Sequence, residues 1–428
     1  MTYRDLHRVL APLVAALWLG AACSPPSAPN RDAGSDADTQ GDADQTHDDA
    51  DRPEDGDTTR PDADEDPDID FGPYCAEASY IWIANSAEGT VSKLCTLDGV
   101  EIGRYYTSPQ EASGDPSRTS VNLHGDAVVT NRSPAYGPSS VTKFAAETTG
   151  CLDRNHNGRI DTSRGATDVR PWGEDECMLW NAPLPDASAS ATGARATAWD
   201  GTESEATGLG GSIWIGALDS GAVFQLDGDT GEILARTRVG NMPYGGAMDG
   251  RGNFWIVGAM CTIGMCNLAR VNTETLEVTT FPVPCGYGIA VDAQDRIWTS
   301  GRRMVGSCVN RLDQDTNTNV TYNAGNGMAF FRGLAVDNHG SVWVADTGGD
   351  VLQIDEDTVE LVHQFHAGPS DVVGIAIDYQ DQIWAVSQGG NAALRIDPET
   401  YVVESFPVGR GPYTYSDMTG YQLRTVIY

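Results

Sequence analysis

Residues Asp153-Arg-Asn155-His-Asn157-Gly158-Arg159-Ile160-Asp161 put oxygen-bearing side chains at the first, third, fifth and ninth places of a short loop. Alternation turns these side chains toward one centre, the sixth-place Gly permits a sharp turn, and the Arg159 carbonyl supplies a seventh-place oxygen. This is the opening of an EF-hand calcium loop, with Asp161 binding directly or through water. The twelfth place holds Arg164 where the motif wants a bidentate Glu, so the loop 153–164 must take its last carboxylate from elsewhere. Glu174-Asp175-Glu176 adjoins Cys177, and a Cys151–Cys177 bridge would return Asp175 and Glu176 to the loop start. Structural calcium is expected here, rigidifying a long excursion. The alternative is an Asx-rich turn with Gly at positive φ and no ion.

Cys23 aside, the cysteines are Cys75, Cys95, Cys151, Cys177, Cys261, Cys266, Cys285 and Cys308. An even number in an exported chain predicts disulfides, and successive cysteines are close enough to pair locally: 75 with 95, 151 with 177, 261 with 266, 285 with 308. A cysteine metal site lacks both Cys-x-x-Cys spacing and a nearby His. The histidines offer no nucleophile-base pair. His124 and His339 fall in turns between first and second strands, His156 is outward in the loop, and His363 and His366 are three apart on an outer strand, facing opposite sides.

These residues need a frame, and the tryptophans supply it. Trp214, Trp255, Trp298, Trp343 and Trp384 are spaced by 41, 43, 45 and 41 residues. Three of them follow a repeated phrase: Gly-Ile-Ala-Val-Asp at 288–292, Gly-Leu-Ala-Val-Asp at 333–337 and Gly-Ile-Ala-Ile-Asp at 374–378. A period of about 40 to 45 residues with several short strands per unit signals a β-propeller. Ile81-Trp82-Ile83 begins one more unit, and Ala127-Val128-Val129 fills the same slot with Val in place of Trp. The expected fold is all-β, a seven-bladed propeller with almost no helical periodicity. Tyr413-Thr-Tyr-Ser-Asp417 supplies the inner strand that the first blade lacks, so strands from both ends close the ring. Val128 and Trp214 lie one full period too far apart, which predicts an insertion in the second unit, about 145–195, carrying the calcium-type loop.

Three segments follow from charge and hydropathy. Arg4 and Arg8 precede an apolar run from Val9 to Leu19 ending in Gly20-Ala21-Ala22-Cys23, which reads as a signal peptide over 1–22. Small residues directly before Cys23 resemble a bacterial lipobox, although Gly20 stands where a Leu is usual; the expectation is lipidation of Cys23, with ordinary cleavage near Ala22 as the alternative. Residues 23–72 form an acidic tether. Ser24 to Phe71 hold 17 acidic side chains against Arg31, Arg52 and Arg60, too little apolar surface to offset ordering. The propeller spans 73–428 and stays acidic by about 20 of the chain's 34 net negative charges, which excludes nucleic-acid and anionic-membrane surfaces.

In a propeller, the loops leading into the inner strands converge at one mouth of the central channel. Arg118, Arg195, Tyr244, Tyr287, Arg332 and Tyr413 hold that place, and Asn131, Arg132, Arg303 and Asp346 lie just past the second strands. Arg and Tyr together supply planar donors and aromatic faces, a pocket for a small molecule, glycan or peptide. The competing expectation is that they pair with carboxylates and merely close the ring.

The unit Gly-[Ile/Leu]-Ala-[Val/Ile]-Asp-x-x-[Gly/Asp]-x-[Ile/Val]-Trp resembles the streptogramin lyase (virginiamycin B lyase) propellers and the NHL and SMP-30-like propellers. That resemblance implies a seven-bladed fold and, for the lyases, an elimination using His and Glu side chains and a divalent cation at the channel mouth. Here Asn85, Ala217, Gly258, Gly301, Asp346 and Ser387 follow the Trp strands, and neither His nor Glu recurs there. The expectation is a monomeric, non-enzymatic propeller on the bacterial cell envelope, an outer-membrane lipoprotein that meets the membrane only through its lipid. It binds an envelope ligand, a glycan or a protein, and holds structural calcium. A divergent lyase or hydrolase acting at the mouth is the alternative.

Overall fold

One carboxylate in each of four blades explains the repeated phrase. In the computed structural model, Oδ2 of Asp292 accepts from the Trp298 indole N–H at 2.7 Å, while Oδ1 accepts from the backbone of Gln294 and Arg296. Asp249, Asp337 and Asp378 repeat the arrangement with Trp255, Trp343 and Trp384 at 2.8, 2.8 and 2.7 Å. The same side chain thus closes the turn between first and second strands and satisfies a buried indole, which fixes Trp six residues after Asp. The structure describes Cys75 and residues 79–132, 138–185, 187, 193–259, 266–302, 306–325 and 330–428. The expected signal segment, tether and lipidated Cys23 lie outside these residues, as do Cys261 and Arg303.

The chain is an all-β propeller of seven antiparallel sheets. The first holds β1 (Tyr80–Asn85), β2 (Thr90–Cys95) and β3 (Glu101–Tyr106); the second holds β4 (Pro116–Val121), β5 (Ala127–Asn131), β6 (Ser140–Phe144) and β7 (Met178–Pro183). The third is β8 (Ala194–Trp199), β9 (Ser212–Ala217), β10 (Ala222–Asp227) and β11 (Ile233–Arg238). The fourth is β12 (Pro243–Met248), β13 (Asn253–Gly258), β14 (Cys266–Asn272) and β15 (Val278–Val283). The fifth is β16 (Gly288–Val291), β17 (Ile297–Arg302), β18 (Ser307–Asp313) and β19 (Thr318–Asn323). The sixth is β20 (Phe331–Val336), β21 (Ser341–Asp346), β22 (Asp350–Asp355) and β23 (Leu361–His366); the seventh is β24 (Val372–Ile377), β25 (Ile383–Ser387), β26 (Ala392–Ile396) and β27 (Val403–Pro407).

Each repeat tryptophan is buried as a wedge between its own blade and the next. Trp384 packs with Ile81 and Leu94 of the first blade, Trp343 with Ile375 and Leu394, and Trp298 with Val342 and Leu352. Val128 leaves that wedge short between the second and third blades. Trp199, at the place where other blades carry Val291, Val336 or Ile377, is fully buried in the same cluster and fills it. A second repeat is absent from the sequence reading. Asp227, Asp355 and Asp397 each accept from the backbone N–H and the hydroxyl of a Thr three residues on, closing the turn between third and fourth strands. These hydrogen bonds hold the three carboxyls below the ordinary range.

The ring closes as expected, with irregular pairing. Tyr413 N donates to Ala84 O at 2.8 Å and Asn85 bridges Pro412, so a regular ladder would set Trp82 opposite Tyr415. Trp82 N instead donates to Met418 O at 2.9 Å, three residues later. The excess bulges inward and carries Tyr415 into the channel. Beyond it, α1 (Tyr421–Ile427) is a helix that sequence periodicity does not announce. It stops the end of the channel opposite the mouth: Gln422 Nε2 donates to Val291 O at 2.7 Å, and its Oε1 accepts from Val336 N at 3.1 Å. Between α1 and the inner strands lies a cavity of about 40 Å³, lined among others by Ser120, Thr197 and Gly246.

The insertion occupies 145–177, between β6 and β7, and ends earlier than the expected 195 because β7 resumes the blade. It runs along β3, the outer edge of the first sheet. Ser163 Oγ accepts from Arg104 N at 2.9 Å, and Gly165, at φ +126, sits so close that a Cβ would stand 2.8 Å from Glu101 O. A strand edge that would otherwise template aggregation is covered. Cys75–Cys95, Cys151–Cys177 and Cys285–Cys308 are disulfides, as local pairing predicts. Cys266 is also disulfide-bonded, its partner outside the described residues. Disulfides of this number belong to an oxidising compartment.

Candidate functional site

Antiparallel alternation puts the loops leading into the inner strands and those joining second to third strands at the same end of the channel, so the mouth is built from both. Tyr244, Tyr287 and Tyr413 meet there with their hydroxyls in a triangle: 3.1 Å between Tyr244 and Tyr287, 2.9 Å between Tyr244 and Tyr413, and 2.7 Å between Tyr287 and Tyr413. Tyr415 stacks on Tyr287 with ring centres 4.9 Å apart and completes the aromatic cluster. The sequence reading omits Tyr415, which the inward bulge of the closing segment brings there.

Four guanidinium groups surround this cluster. Arg118 is fully buried, its Cζ 3.3 Å above the Tyr415 ring and 5.1 Å from that of Tyr244. Arg195 lies 4.9 Å from the Tyr244 ring, and Arg132 lies 5.3 Å from that of Tyr413. Arg332 donates to Tyr287 Oη at 2.9 Å and to Asp371 Oδ1 at 2.7 Å. Arg132 is paired with Asp115. Arg118 makes no ion pair among the described residues; its Nη1 donates to Ser117 O and its Nη2 to Tyr244 O. Arg132 and Arg332 therefore have carboxylate partners, as the ring-closing expectation requires, and among the described residues Arg118 has none.

The electrostatics follow from burial and these cations. Burial pushes the Tyr244 and Tyr287 phenols up. Burial also raises Tyr413, but Arg118 and Arg195 together with the two phenol hydrogen bonds outweigh it and bring Tyr413 down to about 8. A phenol with that value is partly ionised in mildly alkaline solution, when it serves Arg118 as an internal counter-ion.

Two of the expected mouth residues are engaged elsewhere. Asn131 is fully buried within its blade, where Nδ2 donates to Thr107 O, Ser140 Oγ and Thr142 Oγ1. Asp346 is buried and accepts from Gly348 N, and burial raises its carboxyl above the usual range. None of the described histidines joins the Arg and Tyr cluster: His124 contacts Glu205 O, His339 pairs with Asp381, His363 packs on Tyr401, and His366 pairs with Asp350 at the mouth end of the outer strand β23. His156 is exposed in the insertion at φ 59.

In the inserted loop, Asn155 and Asn157 each donate Nδ2 to Asp161 Oδ2 at 2.8 Å, and Asp153 accepts from the backbone of Asn157 and Gly158. Gly158 takes φ +79, the left-handed place the motif reserves for Gly. Glu176 is spent on backbone: it accepts from Arg154, Asn155 and Asp161 N–H. Asp175 accepts from Ser163 and Cys177 N–H and from the Thr162 hydroxyl. The Cys151–Cys177 bridge does bring both to the loop, where they bind its backbone and leave Asp153, Asn155, Asn157 and Asp161 as the converging set. No group of three or more His, Cys, Asp or Glu side chains able to hold a metal ion occurs among the described residues.

No protein-family model and no curated protein matches the chain. Among solved structures it is similar to virginiamycin B lyase from Staphylococcus aureus, with 15% identity and a TM-score of 0.50 over 69% of this chain and 85% of that one. AztD from Citrobacter koseri gives 12% and 0.44, covering 78% of this chain and 96% of that one. BamB from Moraxella catarrhalis gives 13% and 0.41, covering 74% and 90%. At such identities the likeness is one of fold, and the seven-bladed propeller resembling the streptogramin lyases is what it supports.

Proposed function

We propose that this protein is a lipid-anchored propeller of the bacterial cell envelope, an outer-membrane lipoprotein that captures a ligand or partner at the channel mouth. The observation that carries the reading is the Arg and Tyr cluster there: cations and aromatic faces gathered at one opening of an acidic protein, with no described histidine beside them. A proton-transfer group of the lyase kind needs a base within reach of its substrate. The described histidines stand on turns and outer strands instead. The test is capture: glycans, peptides and cyclic depsipeptides are screened against the wild type and the Arg195→Ala/Arg332→Ala double variant, with binding expected only to the former. Metal-dependent turnover of a depsipeptide would replace this reading with the lyase.

The anchor rests on Cys23 after a short apolar run and small residues. Cys23→Ala should move the protein from the membrane fraction to a soluble or unprocessed form; unchanged partitioning would sink the lipoprotein reading. No helix among the described residues is long and apolar enough to cross a membrane.

Calcium in the inserted loop is part of the proposal. Asp153, Asn155, Asn157, Asp161 and the Arg159 carbonyl are the proposed donors, with the asparagine amides turned to present oxygen, and Asp175 and Glu176 hold the loop backbone around them. A native-state ligand adds RT ln(1 + [L]/Kd), about 2.7 kcal/mol at a hundredfold excess over Kd. A chelator should therefore lower Tm, and Asp153→Ala should abolish that response. Identical melting with and without chelator in the wild type would leave an ordinary Asx-rich turn.

A further inference from the structure

We infer that the channel mouth takes an oxyanion, a carboxylate or phosphate group carried by the ligand, on Arg118, Arg332 and the hydroxyl of Tyr415. The inference rests on the capture reading above and gives the ligand its chemical class.

Three observations point to it. Arg118 is fully buried without an ion pair among the described residues, and its Nε has no hydrogen-bond partner. A buried cation left without a counter-charge is costly, and a bound anion would offset that cost. Tyr415 is 3% exposed, and its hydroxyl likewise has no partner. Arg332 Nε is a third buried donor without one, on a side chain already reaching across to Tyr287. The three are joined through one aromatic cluster, Arg118 lying over the Tyr415 ring, Tyr415 stacked on Tyr287 and Arg332 bonded to Tyr287, and each has a donor to spare for an anion's oxygens. The approach is from the rim, where Arg132, Arg332 and Tyr413 are only half-buried.

The cluster also carries its own competitor. Tyr413 faces Arg118 and Arg195 from the C-terminal segment, with Tyr244, Tyr287, Arg132 and Arg332 as its other polar neighbours. Its phenolate, favoured as pH rises through about 8, neutralises the cations that an external anion would meet. Affinity for the anion should therefore be full at pH 7 and fall on the alkaline side, by roughly 10-fold at pH 9, since one added negative charge competes for the same donors.

The experiment titrates the full chain with galacturonate, galactose and inorganic phosphate by calorimetry at pH 7 and pH 9. Galacturonate or phosphate should bind and galactose should not; which anion is tighter distinguishes carboxylate from phosphate as the source. Arg332→Gln, at the rim, should cut anion affinity at least 10-fold, and Arg118→Gln should do so if that chain folds. Tyr413→Phe should bind the anion at pH 7 and show a smaller decline toward pH 9, because burial also brings the Arg118 guanidinium down to about 9. Galactose binding as tightly as galacturonate, or anion binding indifferent to Arg332→Gln, overturns the inference. If both anions fail while a neutral glycan or peptide is captured and lost in Arg332→Gln, the oxyanion falls and the capture reading stands. If nothing is captured at all, both fall.

Discussion

Removing residues 412–428 should leave a chain that does not fold to a cooperative native state. Those residues supply the bonds that pair with β1, the Tyr413 and Tyr415 side chains in the channel, and α1 at its far end. Met418, Tyr415, Tyr421 and Leu423 are all buried, and burying such side chains is worth about 2 kcal/mol each. The loss of about 8 kcal/mol is comparable with the whole stability of an ordinary domain, about 5–15 kcal/mol. It also uncovers the edge of β1 and leaves the ring open. Soluble yield and near-ultraviolet circular dichroism of the truncated chain measure this. A truncated protein with native dichroism and a single sharp urea transition would show that six blades and the three strands of the first hold without their closure.

Asp337→Ala should cost about 3 kcal/mol, since it orphans a buried indole N–H and two turn N–H groups at once. Asp337 Oδ2 takes the Trp343 indole at 2.8 Å, and Oδ1 takes His339 N and Ser341 N at 2.9 and 2.8 Å. Asp337→Asn should cost less, because its remaining oxygen still closes the turn and only the indole faces an amide donor. Urea denaturation of the three chains gives the order wild type, Asn, Ala. Equal midpoints for Ala and wild type would mean that the Asp–Trp bond is incidental to the repeat.

That bond explains why the ring was legible in the sequence. A carboxylate and an indole six residues apart are each needed by the other, so both recur and their spacing counts the blades. Where the partnership lapses, legibility drops. Asp200 keeps its turn duties toward Thr202 and Ser212, but Trp214 follows 14 residues later and its indole lies without a partner. The Val128 unit is recognisable only because its neighbours are regular, and Trp199, which repairs its packing, sits at a place where other blades carry Val or Ile. Helix α1 is too short for amphipathic periodicity to announce, and its position is set by long-range bonds from Gln422 that no local pattern encodes.

The site divides along the same line. Residues leading into the inner strands are predictable in place, because topology alone brings Arg118, Arg195, Tyr244, Tyr287, Arg332 and Tyr413 to one mouth, and there they meet. What these residues contact there depends on depth. Asn131 is turned into its own blade, Asp346 is folded onto Gly348, and Tyr415 arrives only because the closing segment bulges. Asp175 and Glu176 reach the loop through the disulfide, but backbone N–H groups claim their oxygens first.

One comparison separates a mouth that binds a ligand from one that only holds the ring together. Ligand capture and thermal melting are measured side by side for the wild type and the Arg195→Ala/Arg332→Ala double variant. A binding mouth predicts that capture is lost at a temperature where the double variant is still folded; Arg195 is buried and Arg332 bonds Asp371, so some fall in Tm accompanies the loss. A steep fall in Tm with capture retained would contradict it, and would assign these arginines to closing the propeller.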